Sequence, residues 1–206
     1  MASDALAILV AFLCGSVPFG VILVFLFRGI DVRRVGSGNI GATNAMRAGG
    51  AWVGVAVLAL DALKGVVGVL LGRAVAGGAW NHWGAPWLEG ALALAAIAGH
   101  VFTPWLRFRG GKGIAAALGV LIALDWRLAV AALAAFLIVC VPTRIVSAGS
   151  LAAATTVAVG GFLCGDPVRR GPFLLAAALL VVWRHRENIV RLMRGEESRL
   201  GQKRLS

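Results

Sequence analysis

The hydrophobic positions of this chain fall into long runs that short polar stretches separate. The runs show no strict alternation of apolar and polar residues, so they predict helices and not β-strands. A helix that crosses a bilayer alone needs about 17–25 residues, and the first three runs and the sixth meet this length. The seven runs cover residues 5–27, 51–71, 88–106, 112–124, 128–142, 145–163 and 172–183. The pattern predicts an all-α, polytopic integral membrane protein.

The fourth and fifth runs are short for complete spans. They flank Asp125, Trp126 and Arg127, a polar stretch that suits a turn. Two arrangements are therefore open: seven transmembrane helices, or five spans with a re-entrant hairpin made by these two runs. Both arrangements place the termini on opposite sides of the membrane.

The composition agrees with a membrane location. Hydrophobic residues make up 60% of the 206 residues and charged residues only 14%, against about 25% charged in soluble domains. A soluble domain of this size leaves much of its surface in water and could not hide so many apolar side chains. A soluble enzyme, a disordered chain and a secreted disulfide scaffold are excluded.

The net charge of +11 indicates the orientation in the membrane. With the N-terminus outside, 15 basic residues lie on the cytoplasmic side and four outside, which predicts N-out and C-in. We divide the chain into one membrane domain, residues 1–190, and a basic cytoplasmic tail, residues 191–206. The four outer residues are Arg73, Arg127, Arg169 and Arg170; the inner ones are Arg28, Arg33, Arg34, Arg47, Arg107, Arg109, Lys112, Arg144, Arg184, Arg186, Arg191, Arg194, Arg199, Lys203 and Arg204.

A polar cluster at residues 36–47 lies on the predicted inner side. Its three glycines allow backbone N–H groups to turn toward a phosphate, and Arg47 adds a forked cation. The glycines also fit the dinucleotide pattern G-x-G-x-x-G, but no strand precedes them, so we reject that interpretation. The other donors of this predicted cradle are Ser37, Asn39, Thr43 and Asn44.

A second cradle is predicted at residues 107–113. The stretch Gly110-Gly111-Lys112-Gly113 opens the helix of the fourth apolar run, so a helix N-terminus and a lysine coincide there. This combination binds phosphate, although it is not a Walker A loop, since no Ser or Thr follows Lys112.

Further polar residues occur on the same side. His185 and Asn188, at positions i and i+3, share a helix face, and a histidine can act as acid or base near neutral pH. Ser147 and Ser150 form a weaker group. Within the second run, Asp61 and Lys64 form an i,i+3 pair, for which a structural ion pair and an active-site role are equally supported.

No metal or cofactor site is indicated, because the three histidines lack ligand spacing. The converging cations instead predict a polyanionic substrate. The basic charge reflects membrane topology, so we expect no nucleic-acid partner.

Three motif regions closely resemble one bacterial family, the membrane acyl-phosphate:glycerol-3-phosphate acyltransferases (PlsY). They are Ser-Gly-Asn-Ile-Gly-Ala-Thr-Asn-Ala-Met-Arg at 37–47, Gly-His-Val-Phe-Thr-Pro-Trp-Leu at 99–106 with Arg-Gly-Gly-Lys-Gly at 109–113, and His-Arg-Glu-Asn at 185–188. The likeness extends from about residue 15 to residue 188 and leaves out the tail.

The resemblance implies a seven-helix enzyme of the bacterial inner membrane with its active site facing the cytoplasm. It would transfer an acyl group from acyl phosphate to the sn-1 hydroxyl of glycerol 3-phosphate, giving lysophosphatidic acid and phosphate. Its partners would be these substrates, membrane lipid and, transiently, a soluble acyl-phosphate synthase. The implied catalytic residues are Ser37, Lys112, His185 and Asn188; the implied substrate-binding residues are Asn39, Thr43, Asn44, Arg47, Gly110, Gly111, Ser147 and Ser150.

Two questions stay open from the sequence. The proton acceptor is either His185 or a substrate phosphate, and an acyl-Ser37 intermediate is not favoured, because no base adjoins Ser37 in sequence. The competing function class is a transporter of a phosphorylated metabolite. It would need polar residues through the membrane centre or an internal repeat, and neither is found.

Overall fold

The computed structural model describes residues 2–77, 86–163 and 170–202 and forms ten α-helices in these ranges. Arg169, Lys203 and Arg204 of the charge count lie outside them. Two 3-10 turns, Val32–Arg34 and Pro104–Leu106, lie between helices. The helices are α1 (Ala2–Ser16), α2 (Phe19–Arg28), α3 (Ala42–Gly49), α4 (Ala51–Val75), α5 (Pro86–Val101), α6 (Ile114–Leu124), α7 (Trp126–Thr143), α8 (Val146–Leu163), α9 (Gly171–Arg184) and α10 (Arg186–Met193).

Every predicted apolar run contains a helix, but the first contains two. The helix is interrupted at Val17 and Pro18, because proline has no N–H and cannot continue the hydrogen bonding of α1. The break leaves the Val17 carbonyl without a helical partner inside an apolar segment. The Lys64 ammonium donates to that carbonyl at 2.6 Å and so satisfies it.

Four helical segments of the described chain are long and apolar enough to cross a membrane: Ala2–Arg28, Ala51–Val75, Trp126–Thr143 and Val146–Leu163. The helix α7 is therefore longer than the fifth apolar run that predicted it. It begins at Trp126, because Asp125 caps it by accepting from the backbone of Arg127. The shorter α6 and α9 are also apolar. The all-helical membrane class is confirmed, whereas seven spans and the orientation stay predictions.

Two amphipathic helices, α3 and α10, lie in the polar stretches between or after the apolar runs. The first carries Thr43, Asn44 and Arg47, and the second carries Asn188. Helix α10 continues past residue 190, where we placed the end of the membrane domain, so the domain boundary falls inside an element.

Glycines bring the long helices into backbone contact. A Cβ at Gly119 of α6 would lie 1.7 Å from the Ala62 carbonyl oxygen of α4, and one at Gly65 would lie 2.3 Å from that of Ala116. Only glycine permits this approach. The first residues of α6 lie beside the end of α9, since Ile114 packs against a cluster that contains Val181.

An ionic cluster closes the opposite end of the bundle. Glu89 of α5 pairs with Arg73 of α4 at 2.8 Å and with Arg170, which directly precedes α9. Three helices are thereby fixed at the end farthest from the polar loops.

Candidate active site

The polar loops surround one large cavity of about 1950 Å³. Of the described residues, ten arginines and lysines line it against four acids, so the cavity is strongly positive. Gly111 alone among the sequence-predicted site residues is absent from the lining. The others all line it: Ser37, Asn39, Thr43, Asn44, Arg47, Gly110, Lys112, Ser147, Ser150, His185 and Asn188.

Lys112, His185 and Asn188 form the best-ordered part of this site. The Lys112 ammonium donates to the Asn188 side-chain oxygen at 2.5 Å. Nδ1 of His185 lies 2.8 Å from the Val181 carbonyl oxygen. Since a carbonyl can only accept, Nδ1 carries the proton and Nε2 is left as an acceptor. His185 and Asn188 are both buried in the cavity wall.

Burial shifts the titration of two of these groups. It lowers the pKa of Lys112 from 10.5 to about 8, with nearby arginines adding to the effect and Glu197 opposing it. It also lowers the pKa of His185 from 6.5 to about 4, against the opposing hydrogen bond to Val181. At pH 7, Lys112 is therefore an ammonium that loses its proton readily, and His185 is neutral.

Asn44 organises the loop that precedes α3. Its amide nitrogen donates to the carbonyls of Val32, Val35 and Asn39, each at 2.9 Å, and its oxygen accepts from the Ser37 backbone at 3.0 Å. All its hydrogen-bonding groups have partners within the protein. In this structure the Asn44 side chain shapes the loop, and the substrate contact predicted for it stays a prediction.

Three backbone N–H groups of the cradle predicted in the first cluster are bonded within the protein. The N–H of Gly38 donates to the Val35 carbonyl at 3.0 Å, and that of Gly41 to the Asn39 side-chain oxygen at 2.8 Å. With the Ser37 N–H bonded to Asn44, these three groups do not face a ligand. The glycines serve the turn instead: Gly36 and Gly38 adopt left-handed conformations, with φ of 58° and 69°.

Gly110 and Gly111 are bonded within the protein in the same way. Their N–H groups donate to the carbonyls of Val101 and His100, at 2.9 and 3.1 Å. Their lack of a side chain matters for packing, because a Cβ on either residue would lie 2.0 Å from an atom of His100. They hold Lys112 in place and offer no N–H group to a ligand.

Two helix N-termini supply donors that the glycine loops do not. The first N–H groups of a helix lack intrahelical partners and favour an anion. Ala42 and Thr43 open α3, while Ile114 and Ala115 open α6, and all four line the cavity. Arg47 lies one turn further along α3 and is exposed.

The two predicted serines of α8 are buried against the cavity. Ser150 donates to the Val146 carbonyl of its own helix at 2.9 Å. Ser147 donates to Glu197 at 2.9 Å, which reveals a site residue that the sequence analysis missed.

Glu197 belongs to the segment that we assigned to a separate tail. Its carboxylate accepts from Ser147, from Asn188 at 2.6 Å and from Arg191 at 2.7 Å. Burial raises the pKa of Glu197, but these hydrogen bonds outweigh burial and leave the pKa below its ordinary value. Glu196 and Glu197 are the two acids of an otherwise basic tail, a signal that could have indicated this contact.

The tail also contacts Arg47. Its guanidinium donates to the Ser198 hydroxyl at 2.9 Å, and the Leu200 N–H donates to the Arg144 carbonyl at 2.8 Å. Part of the predicted tail therefore lines the cavity, through Glu197, Ser198, Leu200 and Gly201.

The Asp61–Lys64 pair is a structural element beneath the cavity. The two side chains are 2.6 Å apart and at most 4% exposed, and Lys64 also satisfies the Val17 carbonyl. Asp61 and His100 reach the cavity wall, with His100 Nδ1 3.8 Å from the Asp61 carboxylate.

One side of the cavity is apolar and continuous with the outer surface of the bundle. Val55 and Leu58 of α4, with Leu137 and Val141 of α7, line the cavity and are between 44% and 68% exposed. In a membrane protein such a wall faces lipid, so a hydrocarbon chain can enter from the side.

Comparison with known sequences adds to this geometry. A family model described as glycerol-3-phosphate acyltransferase matches residues 5–195. Enzymes of that name are similar over almost the whole chain. The one from Anaeromyxobacter sp. (strain K) is 48% identical over 199 residues, covering 95% of this chain and 96% of that one. The one from Thermus thermophilus is 40% identical over 203 residues, covering 98% of each chain.

Comparison with solved structures leads to the same family. The structure of PlsY, an integral membrane glycerol 3-phosphate acyltransferase, in its glycerol 3-phosphate form superposes with a TM-score of 0.87 and 36% identity, covering 97% of this chain and 96% of that one. Its lysophosphatidic acid form gives a TM-score of 0.85 and 35% identity, with the same coverage. This chain is thus a multi-pass membrane protein, and it belongs to the PlsY family of glycerol-3-phosphate acyltransferases.

Proposed function

We propose that this protein transfers an acyl group from acyl phosphate to the sn-1 hydroxyl of glycerol 3-phosphate. The products are lysophosphatidic acid and inorganic phosphate. The names of the two PlsY forms support the acceptor and the product, since one holds glycerol 3-phosphate and the other lysophosphatidic acid.

The observation that carries the proposal is the combination of a cation-rich cavity with an apolar wall. Arg47, Lys112 and the two helix N-termini suit phosphate groups, and the lipid-exposed wall of α4 and α7 suits an acyl chain. A phosphorylated metabolite alone would not require the apolar wall, so this feature favours an acyltransferase over a transporter.

The roles that we propose within this cavity rest on the family likeness. Ser37, Asn39, Lys112, His185 and Asn188 surround the reacting phosphate and carbonyl. Arg47 holds the glycerol phosphate together with Lys112 and Ser150. Thr43 and Ser147 complete the binding wall, while Asn44, Gly110 and Gly111 shape the two loops.

The reaction needs positioning and charge stabilisation more than a strong base. The sn-1 oxygen attacks the acyl carbonyl carbon, the bond from that carbon to the bridging oxygen breaks, and phosphate leaves with the electron pair. The Lys112 ammonium stabilises the negative charge that develops. Because acyl phosphate is a mixed anhydride, holding both substrates in line supplies much of the rate.

The hydroxyl proton has two candidate acceptors, Nε2 of His185 and a substrate phosphate. His185 is a weak base, with a pKa of about 4, whereas phosphate monoesters have a second pKa of about 6. The phosphate is therefore the better acceptor, and His185 binds the reacting group through neutral hydrogen bonding.

The cellular setting follows from the charge distribution and the family. We place the protein in the bacterial inner membrane with the cavity facing the cytoplasm. The water-soluble glycerol 3-phosphate enters the cavity from that side. The surrounding arginines attract the anionic donor, and a soluble acyl-phosphate synthase delivers it through transient contact.

The proposal is tested with purified protein in lipid, given palmitoyl phosphate and glycerol 3-phosphate without metal or coenzyme A. We expect lysophosphatidic acid and phosphate to form together. Lys112→Ala should lower turnover by at least about 100-fold, since removing one preorganised donor typically costs that much. Arg127→Ala, which removes an exposed cation at the opposite end of the bundle, is the matched control and should retain activity.

Product from acyl-CoA or acyl carrier protein, but not from acyl phosphate, would keep the acyltransferase and contradict the donor. No product from any donor, with uptake of glycerol 3-phosphate into vesicles, would support the transporter instead.

A further inference from the structure

The loop that carries Lys112, residues 107–113, is held by a second group of contacts that lies outside the assignments above. On one side, the N–H groups of Gly110 and Gly111 donate to the end of α5. The contact leaves no spare room, since a Cβ at Gly111 would lie 2.0 Å from Nε2 of the buried His100. Helix α5 therefore fixes this side of the loop.

Arg184 fixes the other side. Its Nη2 donates to the Gly110 carbonyl at 2.8 Å and its Nε to the Gly111 carbonyl at 3.1 Å. A planar guanidinium with parallel N–H groups fits two successive carbonyls in this way, and a lysine does not. Both glycine residues of the loop are thus hydrogen-bonded through N–H and through C=O.

Arg184 also connects the loop to the rest of the site. It is the last residue of α9 and directly precedes His185, while Asn188 lies one turn later on α10. The guanidinium therefore links the backbone beside Lys112 to the chain segment that carries its hydrogen-bond partner.

We propose that Arg184 is a positioning residue, which clamps the Gly110–Gly111 backbone and thereby directs the Lys112 ammonium toward the reacting phosphate. The inference rests on the proposed function for the identity of that phosphate. The structural part of the proposal does not depend on the reaction: Arg184 sets the position and surroundings of Lys112.

The kinetic test uses the full-length protein in lipid and compares Arg184→Lys with Arg194→Lys. The first variant keeps the charge and loses the paired hydrogen bonds; the second changes an exposed arginine of the same face that does not line the cavity. We expect kcat to fall about 100-fold in Arg184→Lys, the cost of a displacement of about 1 Å. The KM for glycerol 3-phosphate should change little, and the control should match the unmodified protein.

If Arg184 only attracts anionic substrate by its charge, Arg184→Lys will retain activity and Arg184→Gln will raise KM. That result would overturn the proposal.

A second measurement is independent of activity. Acetylation of Lys112 by acetic anhydride is followed against pH by mass spectrometry of its peptide. In the unmodified protein the reactivity should rise with a midpoint at about 8. In Arg184→Lys, which keeps the charge, the loosened loop admits water to Lys112, so the midpoint should move toward the ordinary value of 10.5. Arg184→Gln does not test the clamp in this way, because the Arg184 charge itself lowers the pKa of Lys112.

An unchanged midpoint in folded Arg184→Lys would overturn the clamp whatever the reaction is. A shifted midpoint in a protein without acyltransferase activity would retain the clamp and reject the proposed function. Failure of both Arg184 variants to fold, judged by thermal unfolding, would replace the positioning role with a purely structural one.

Discussion

Lys112 combines a partly buried ammonium with a polar neighbour that fixes its direction. Asn188 accepts its hydrogen bond, and Glu197 in turn accepts one from the Asn188 amide nitrogen. The carboxylate thus orients Asn188 so that its oxygen, and not its nitrogen, faces the lysine. A chain of three side chains from three different parts of the sequence determines where the charge is placed.

The lowered pKa of Lys112 predicts the pH dependence of catalysis. Below pH 8 the side chain is an ammonium, and above it the charge is lost, so kcat/KM should fall as pH rises through about 8. Bound phosphate stabilises the ammonium, so the corresponding fall in kcat should occur at higher pH. The measurement is a set of steady-state rates from about pH 6.5 to about pH 10, a range that brackets both the lowered and the ordinary lysine pKa.

Lys112→Arg is the control for this profile, because an arginine stays charged over the whole range. Whatever its absolute rate, its kcat/KM should lack the decline near pH 8. A decline at the same pH in this variant would assign the titration to another group.

Among the single residues, the sequence indicated which side chains meet but not what several of them bond to within the protein. Lys112, His185 and Asn188 were predicted together, and they do line one cavity. The glycines and Asn44 were interpreted as ligand donors because the sequence shows donor groups and not their partners. Those partners are carbonyls from distant turns and helices, which only the folded chain brings near.

At the level of elements, the close contact between α4 and α6 is the main constraint on where the Lys112 loop lies. The contact is made by glycine on each side, and α6 begins two residues after Lys112. Any displacement of α6 therefore displaces the loop that carries the lysine. The polar site thus depends on packing that lies within the apolar part of the molecule.

Gly119→Ala should destabilise the protein and lower its activity. The added Cβ would lie 1.7 Å from a backbone oxygen of α4, so the helix itself must move. Overpacking of this kind costs about 1–3 kcal/mol, which corresponds to a fall of several degrees, about 5 °C, in the unfolding temperature. Thermal unfolding and acyl transfer in detergent would measure both effects.

Gly160→Ala in α8 is the matched substitution. There the added Cβ meets only the end of the Leu128 side chain, which can rotate away. Its effect on both measurements should be small, and equal losses in the two variants would contradict the role given to the α4–α6 contact.

The apolar pattern predicted elements well for a physical reason. Helices in lipid satisfy their own backbone groups, so length and hydropathy largely define them. The break in the first run was not anticipated, although Pro18 was visible, because the carbonyl it exposes is satisfied by Lys64 from another helix. The amphipathic α3 and α10 have too few apolar residues to stand out.

For the whole molecule, the cavity belongs to the bundle and the C-terminal segment together. Glu197, Ser198, Leu200 and Gly201 line the cavity, and Glu197 contacts three other parts of the site. The sequence suggested a detached tail because its basic residues suit a solvated or lipid-facing segment. The two acids in the basic tail, Glu196 and Glu197, were the only local signal of this contact, and they do not say which residues they meet.

The shape and charge of the molecule suit the two proposed substrates. One end of the bundle is closed by the Glu89 cluster, and the other holds a positive cavity with an apolar side. A water-soluble anionic acceptor and a lipid-soluble donor can therefore meet at one place, each arriving from the phase in which it dissolves.

Acyl transfer from acyl phosphate to glycerol 3-phosphate can be tested by following one isotope. Palmitoyl phosphate labelled with heavy oxygen at the bridging position is supplied with glycerol 3-phosphate to the protein in lipid. We expect equal amounts of lysophosphatidic acid and phosphate, with all of the label in the phosphate. Label in free palmitate, or phosphate without lysophosphatidic acid, would contradict the proposed reaction.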